Sequence, residues 1–277
     1  MADNTLVIKP QKGLWNLDLR ELWIFRELLF FFVWRDIKVR YKQTLIGASW
    51  AIIQPFLTMI VFTIFFGRIA GIEEATLSDG IPYPIFSYSG LLLWIYFSTA
   101  VTNSGNSLVG NYHIITKIYF PRIYIPLTSG LAGIVDYLIA FVLLILMMIY
   151  YGLFPNWNIL LLPVVVFFAF ISALGFGLWL SALNVRYRDV RYVIPFFIQL
   201  MMFASPVIYP PEIFPSLKWL LDLNPMSGII QAHRSCLLGV EPINWISLSI
   251  SVTVAMLIFI SGIVYFEKTE RFFADII

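Results

Sequence analysis

Long apolar runs separated by short polar connections set the pattern of this chain. Six of them, near residues 48–68, 85–108, 123–150, 160–183, 192–210 and 244–266, approach or exceed the roughly 20 helical residues that cross a hydrocarbon core. Backbone at membrane depth must satisfy its own hydrogen bonds, so these runs predict helices. The every-second-residue alternation of barrel strands is missing from them. The third run is long enough to tilt or to project past the bilayer. The fifth carries Pro195, Pro206 and Pro210, which predict kinked or broken ends.

Two segments fit neither a span nor a simple loop. In 17–37 the apolar core is interrupted by Arg26 and Glu27, so an interfacial amphipathic helix is expected. Its charges do not share one clean face, which turns some of them toward protein. The second segment, 207–243, holds Pro210-Pro211, a short apolar piece at 213–222, and Asn224-Pro225 opening another to Leu238. Pieces of that length predict outer-side re-entrant or interfacial caps. The expected fold is therefore an all-α polytopic membrane protein: six transmembrane helices, an N-terminal interfacial helix, and short re-entrant helices before the last span.

Charge orients this arrangement. Arg35, Lys38, Arg40 and Lys42 precede the first span, Lys117 and Arg122 lie between the second and third, Arg186, Arg188 and Arg191 between the fourth and fifth, and Lys268 and Arg271 follow the last. The alternate connections hold Glu73, Glu74 and Asp79, then no charge in 151–159, then a mixed segment with Lys218 and Arg234. The one-sided bias puts both termini in the cytoplasm. The division is a cytoplasmic N-terminal segment (1–46) and a transmembrane domain (47–277), with cytoplasmic loops at about 109–122 and 184–191 and an outer cap at about 207–243. The polar start through Gln11 lacks the order of a signal peptide, so the mature chain is expected to begin there.

Composition agrees: 60% of residues are hydrophobic and 12% charged, which no soluble core of 277 residues absorbs. A net charge of +2 is uninformative, and no long basic run points to nucleic acid as a partner. Cys236 is the single cysteine, and His113 and His233 fall on opposite sides of the membrane, so neither a disulfide nor a metal site is expected. The phosphate-cradling G-x-x-x-x-G-K-[ST] loop is absent, so the chain is not its own P-loop ATPase.

Within the spans Asp136 stands as the one ionisable residue at depth, at a cost of roughly 2.5–3.5 kcal/mol on insertion scales. It reads either as a coupling or substrate-contacting carboxylate or, the favoured reading, as a bundle-facing group satisfied by a neighbouring hydroxyl or amide. Uncharged polar stripes say more. Tyr96, Thr99, Asn103 and Asn106 recur at three- and four-residue steps in the second span. Trp50, Gln54 and Thr58 do so in the first, and Tyr192, Phe196, Gln199 and Phe203 in the fifth. Three such aromatic-and-amide faces suit a passage that stacks on sugar rings and hydrogen-bonds hydroxyls; the plainer alternative is interhelical bonding with aromatic belts. Ala173, Gly177 and Ser181, with Ser129 and Gly133, form small-residue ridges for close packing.

Several segments together resemble the permeases of polysaccharide-exporting ABC transporters. They are Trp34 to Trp50 (WRDIKVRYKQTLIGASW) with Gln54-Pro55, the loop Asn111 to Pro126 (NYHIITKIYFPRIYIP), Arg186 to Arg191 (RYRDVR), and Ser205 to Tyr209 (SPVIY). The resemblance covers nearly the whole chain. It implies a subunit that exports lipid-linked polysaccharide (O antigen, capsule or teichoic acid) across the inner membrane, not an enzyme itself. It further implies a homodimer of permeases driven by two separate P-loop ATPase subunits, which hold the ATP and magnesium; no cofactor is expected on this chain. The ATPase contacts implied are the N-terminal helix and the first loop, with Asn111, Ile114, Ile115, Lys117, Ile118 and Arg122. A helix there, ended by Pro121, would present the three isoleucines as one patch beside Lys117, for a partner or for lipid headgroups. The alternative is the permease of a drug or small-molecule exporter, for which a purely apolar path is expected. A membrane-embedded glycan enzyme would need clustered acids, and an ion-coupled transporter more than one buried carboxylate.

Overall fold

The computed structural model describes residues 19–42, 47–77, 80–213, 215–240, 242–270 and 273. The polar start, the 43–46 part of the segment before the first span, Asp79 and Arg271 lie outside them. All regular structure among the described residues is helical.

The N-terminal helix is two pieces, α1 (Leu19–Ile24) and α2 (Arg26–Lys42), broken at Phe25 beside the expected charges and running past the expected end at 37. Leu22, Phe25, Leu28, Leu29 and Phe32 pack inward at helical spacing, while Trp23, Phe30, Phe31 and Trp34 stay exposed. Apolar side chains on both faces suit a helix flanked by protein and by lipid.

Among the described residues, five helices are long and apolar enough to cross a membrane. The first is α3 (Ser49–Phe62), which continues as a π-helix over Thr63–Ile69. After the short α4 (Ile72–Leu77) comes α5 (Tyr83–Gly110), then the single turn α6 (Tyr112–Ile115) and α7 (Tyr124–Tyr151). Gly152, in the left-handed region at φ 67°, ends α7. A 3₁₀ turn (Trp157–Leu161) leads into α8 (Leu162–Arg186). The expected fifth span is shorter than 192–210: α9 (Val190–Phe203) stops at 14 residues. The chain then bends before Pro206 instead of continuing as a helix, as Pro206 and Pro210 require. α10 (Lys218–Asp222), α11 (Ser227–Leu238) and the long α12 (Trp245–Glu270) follow.

α5 is the axis, packed on α7 on one side and α8 on the other, with α12 behind α8. Small residues set these distances. Gly177 lies against Ser104, Gly133 against the Tyr96 ring, and Gly175 against the backbone of Phe259. α11 is buried along almost its whole length, and its left-handed C-cap, Gly239, receives Asn156 on its carbonyl at 2.7 Å.

The break after Phe203 leaves carbonyls that side chains satisfy. Asn224 donates to Ala204 O (3.0 Å), buried Arg234 to Pro206 O and Val207 O (3.2 and 3.4 Å), and Tyr83 to Ile208 O (2.9 Å). Arg234 also sits 3.6 Å over the Phe86 ring, in the room that Gly90 leaves. Irregular backbone within a membrane domain survives where protein completes its hydrogen bonds, and here it does.

Candidate translocation cavity and coupling loop

Between α3, α5, α7 and the end of α2 lies a cavity of about 540 Å³. α3 supplies Trp50, Ala51, Gln54 and Pro55; α5 supplies Leu92, Ile95, Tyr96, Thr99 and Asn103; α7 supplies Gly133, Asp136, Tyr137 and Ala140. Arg40, Tyr41 and Gly47 complete the lining. The surface alternates ring faces with amides and a hydroxyl, above an apolar background. It offers stacking to flat apolar faces and hydrogen bonds to hydroxyl-bearing ligands.

Five of the stripe residues expected from sequence meet here: Trp50, Gln54, Tyr96, Thr99 and Asn103. The other six lie elsewhere. Thr58 turns its hydroxyl back onto Gln54 O at 2.9 Å. Asn106 faces α8, accepting from Asn184 at 3.1 Å and donating to Thr102 O at 2.9 Å, so its amide joins two helices. Tyr192, Phe196, Gln199 and Phe203 form one stripe, but it faces outward on α9. The opposite side of that helix, with fully buried Ile194, packs on α5 at Gly105. Within one chain two polar faces converge, not three, because α9 docks through its aliphatic side.

Asp136 is not alone at depth. Tyr41 donates its hydroxyl to Oδ1, and Arg40 pairs with Oδ2. The hydroxyl partner was expected; the guanidinium was not, because it arrives from the N-terminal helix rather than from another span. Burial, followed by the neighbouring carboxylate, raises the Tyr41 phenol above its ordinary range, so it remains a protonated donor. Nothing in the spacing of Arg40 and Asp136 along the chain signals this pair. The lone charge within an apolar run was the available clue, since such a group needs a partner.

The loop joining α5 to α7 is a clamped platform. Ile115 is buried and Ile114 half-buried, whereas Ile118 and Tyr119 are exposed. The three isoleucines do not form the single outward patch expected, because the helix is one turn long and Ile115 points into the bundle. Lys117 is exposed beside Ile118. Asn111 accepts from Arg35 Nη2 at 3.2 Å, and Phe120 meets Phe32 edge to face at 5.4 Å. Tyr124 donates to the Leu22 carbonyl. Arg122 turns away from the exposed side: its Nη1 donates to Glu270 O at 2.7 Å, and its Nε lies 3.9 Å from the Glu270 carboxylate. The loop thereby ties the N-terminal helix to the end of α12. Burial first, and then hydrogen bonding to Glu21, pushes the Tyr119 phenol up.

Comparison with known proteins agrees with this architecture. The chain is similar to the O-antigen export system permease protein RfbA of Myxococcus xanthus, 29% identical over 78% of this chain and 82% of that protein. It is similar to RfbA of Klebsiella pneumoniae, 29% identical over 88% and 92%. The polysialic acid transport protein KpsM of Escherichia coli is 22% identical over 86% and 91%. The ABC-2 type transporter profile matches residues 27–238, from the N-terminal helix through α11. The chain is a multi-pass membrane protein that belongs to the ABC-2 type transporter family.

Proposed function

We propose that this chain is the permease subunit of an ATP-driven exporter of lipid-linked polysaccharide. The observation that carries the reading is the cavity, in which Trp50 and Tyr96 stand with Gln54, Thr99 and Asn103 on opposing walls. Rings and amides at that spacing suit pyranose faces and hydroxyls. A drug-exporting relative would gain little from lining the cavity with Gln54 and Asn103, since amides left unpaired disfavour apolar cargo. The relatives named for O-antigen and polysialic acid support the same cargo class.

In this reading two copies form the path, and two P-loop ATPase subunits holding ATP and magnesium dock on the exposed side of the 111–122 loop, at Ile118 and Lys117. The protein sits in the cytoplasmic membrane with both termini inside, as the basic residues of that loop and of 186–191 favour. Rigid-body motion of the ATPase would reach the spans through the clamped loop.

Deleting the gene and restoring it on a plasmid tests the proposal. The expected result is loss of surface glycan with lipid-linked glycan accumulating inside, both reversed on restoration. Undiminished surface glycan in the deletion strain, together with a new sensitivity to small hydrophobic drugs, would transfer the chain to the drug-exporter class.

A further inference from the structure

Among the described residues lining the cavity, two carry charge, Arg40 and Asp136, and they are paired with each other. The carboxylate is engaged at both oxygens, Oδ2 by Arg40 and Oδ1 by the Tyr41 hydroxyl. The rest of the lining is aromatic, aliphatic, amide, hydroxyl, glycine or proline. Lys38 and Lys42, on the same helix as Arg40, are exposed and stand outside the lining. Residues 43–46 (QTLI) add no charge by sequence. Neither α3 nor α5 contains an acidic or basic residue, and Asp136 is the single one in α7. Arg234 lies on α11, bonded to the Pro206 and Val207 carbonyls, and does not line the cavity. The wall is therefore neutral as a set.

We infer that this cavity accepts uncharged sugar units and disfavours anionic ones, and that the Arg40–Asp136 pair sets that preference. The inference rests on the cavity being the translocation path, and names the class of glycan that path takes. Its physical basis is unmatched charge. With side-chain exposures of 29% and 26%, both partners stand at the cavity surface, so cargo meets the sum of their charges. An acidic sugar would leave part of its hydration behind and find one guanidinium, already committed to Asp136. Capturing Arg40 would strip Asp136 of its cation, exchanging one unpaired carboxylate for another. A neutral sugar meets no such cost. Its faces stack on Trp50 and Tyr96, and its hydroxyls reach Gln54, Thr99 and Asn103. The ion pair can join in, because a guanidinium has five N–H donors and stays balanced in charge while it bonds a hydroxyl. Arg40 and Asp136 are specificity-determining residues through the net charge they give the wall.

Protection of a reporter cysteine tests this. Cys236 is fully buried and is the chain's single cysteine, so Ala51→Cys on the cavity wall can be read against a quiet background. The full chain is alkylated by N-ethylmaleimide, a neutral reagent, in isolated membranes. Two probes compete: trigalacturonate and its methyl ester, the same three sugars with and without charge. The ester is expected to protect at a concentration about tenfold or more below that of the acid. Asp136→Asn leaves Arg40 as an unmatched cation, and the acid is expected to gain about tenfold against the ester. Arg40→Gln leaves the carboxylate unmatched and is expected to widen the preference for the ester. The double variant, neutral again, is expected to return the parent's ratio, which separates charge from any loosening of the fold. Equal protection by acid and ester in the parent would overturn the proposal while leaving the path in place. So would a ratio within twofold of the parent's in whichever single variant accumulates, or, should neither accumulate, a double variant whose ratio departs from the parent's. Protection by neither probe in the parent would remove the path reading, and the proposal with it.

Discussion

α5 and α3 face each other across one cavity and are held in opposite ways. Over an apolar 18-residue stretch, 78% of α5 is buried within the protein, against 17% for α3 with its π-helical continuation. α5 has neighbours on every side, and its tyrosines reach across to pin other elements: Tyr83 to Ile208 O and Tyr88 to Ala140 O, both at 2.9 Å. α3 leaves Trp50, Leu57, Val61 and Phe65 exposed, contains Pro55, and ends in a π-helical turn. A π-turn and an internal proline are the two backbone features that most readily let a helix bend. One wall is set by its packing, and the other has backbone features that would let it bend. A transporter needs both, since cargo must be oriented by something fixed and released by something that shifts.

The sharpest way to break this comparison is to insert the same bulk on each side. At Gly90 on α5 an added Cβ would sit 3.0 Å from the Val207 carbonyl oxygen and 3.3 Å from its Cα, backbone that cannot retreat without shifting the segment after the break. Gly90→Leu is expected to cost about 3 kcal/mol or more and to leave little folded protein. Ala51→Leu on half-buried α3 is expected to keep the fold and impair export alone. Detergent melting curves and membrane yields check both; equal melting temperatures for the two variants would remove the distinction between the packed and the bendable wall.

The next largest effect also belongs to the packed wall. Asn103→Leu keeps volume but removes the amide that α5 presents to the cavity, and export is expected to drop about tenfold or more at normal membrane levels. A tenfold change corresponds to about 1.4 kcal/mol, in the range of one hydrogen bond lost from a binding site. Asn106→Leu, three residues on, is expected to lower stability instead, because it removes one of the two bonds, to Gly105 O and to Asn106 Oδ1, that Asn184 makes across the α5–α8 seam. Export measured per unit of protein separates the two outcomes.

The 111–122 loop divides in the same manner at a smaller scale. Ile115 is buried and Ile118 exposed, so identical changes there should differ in kind. Ile115→Asp is expected to unseat the loop and lower the amount of folded protein, since an unpaired charge is placed in apolar packing. Ile118→Asp is expected to insert normally while co-purifying several-fold less ATPase. Normal ATPase recovery with Ile118→Asp would move the docking surface off this side of the loop.

Much of this architecture is legible from residues because lipid leaves few choices. The expected starts and ends of α3, α5 and α8 fall within a few residues of those observed, since an apolar run of that length has one stable backbone solution. The break after Phe203 follows from Pro206, and the small-residue ridges appear where Gly133 and Gly177 meet α5. What periodicity cannot supply is which way a helix is turned once it packs. Asn103 and Asn106 share a stripe, yet one lines the cavity and the other bonds α8. The stripe on α9 is as regular as the one on α5 but faces outward, because Ile194 fits the notch at Gly105. Long-range ion pairs are equally hidden: Arg40–Asp136 and Arg122–Glu270 join residues whose pairing depends on how α2 and α12 cross their neighbours.

That outward stripe gives the smallest expected effect and the finest test of where the path lies. Tyr192 and Phe196 are 70% and 63% exposed, so neither ring is part of the packing that holds one chain together. If the cavity within a single chain contains the cargo contacts, Phe196→Ala should change export by about twofold at most, with no change in melting temperature. The arithmetic is simple: a ring already in lipid loses little on truncation, because hydrocarbon replaces hydrocarbon. If instead two copies bring their α9 stripes to a shared path, the same ring would stack on cargo, and losing it would cost about tenfold, in line with one aromatic contact removed. Phe167→Ala on α8, exposed to a similar degree at 53%, supplies the lipid-facing control. A tenfold loss at Phe196 with none at Phe167 would assign the α9 face to the path formed between copies, and would make α3 one wall of two.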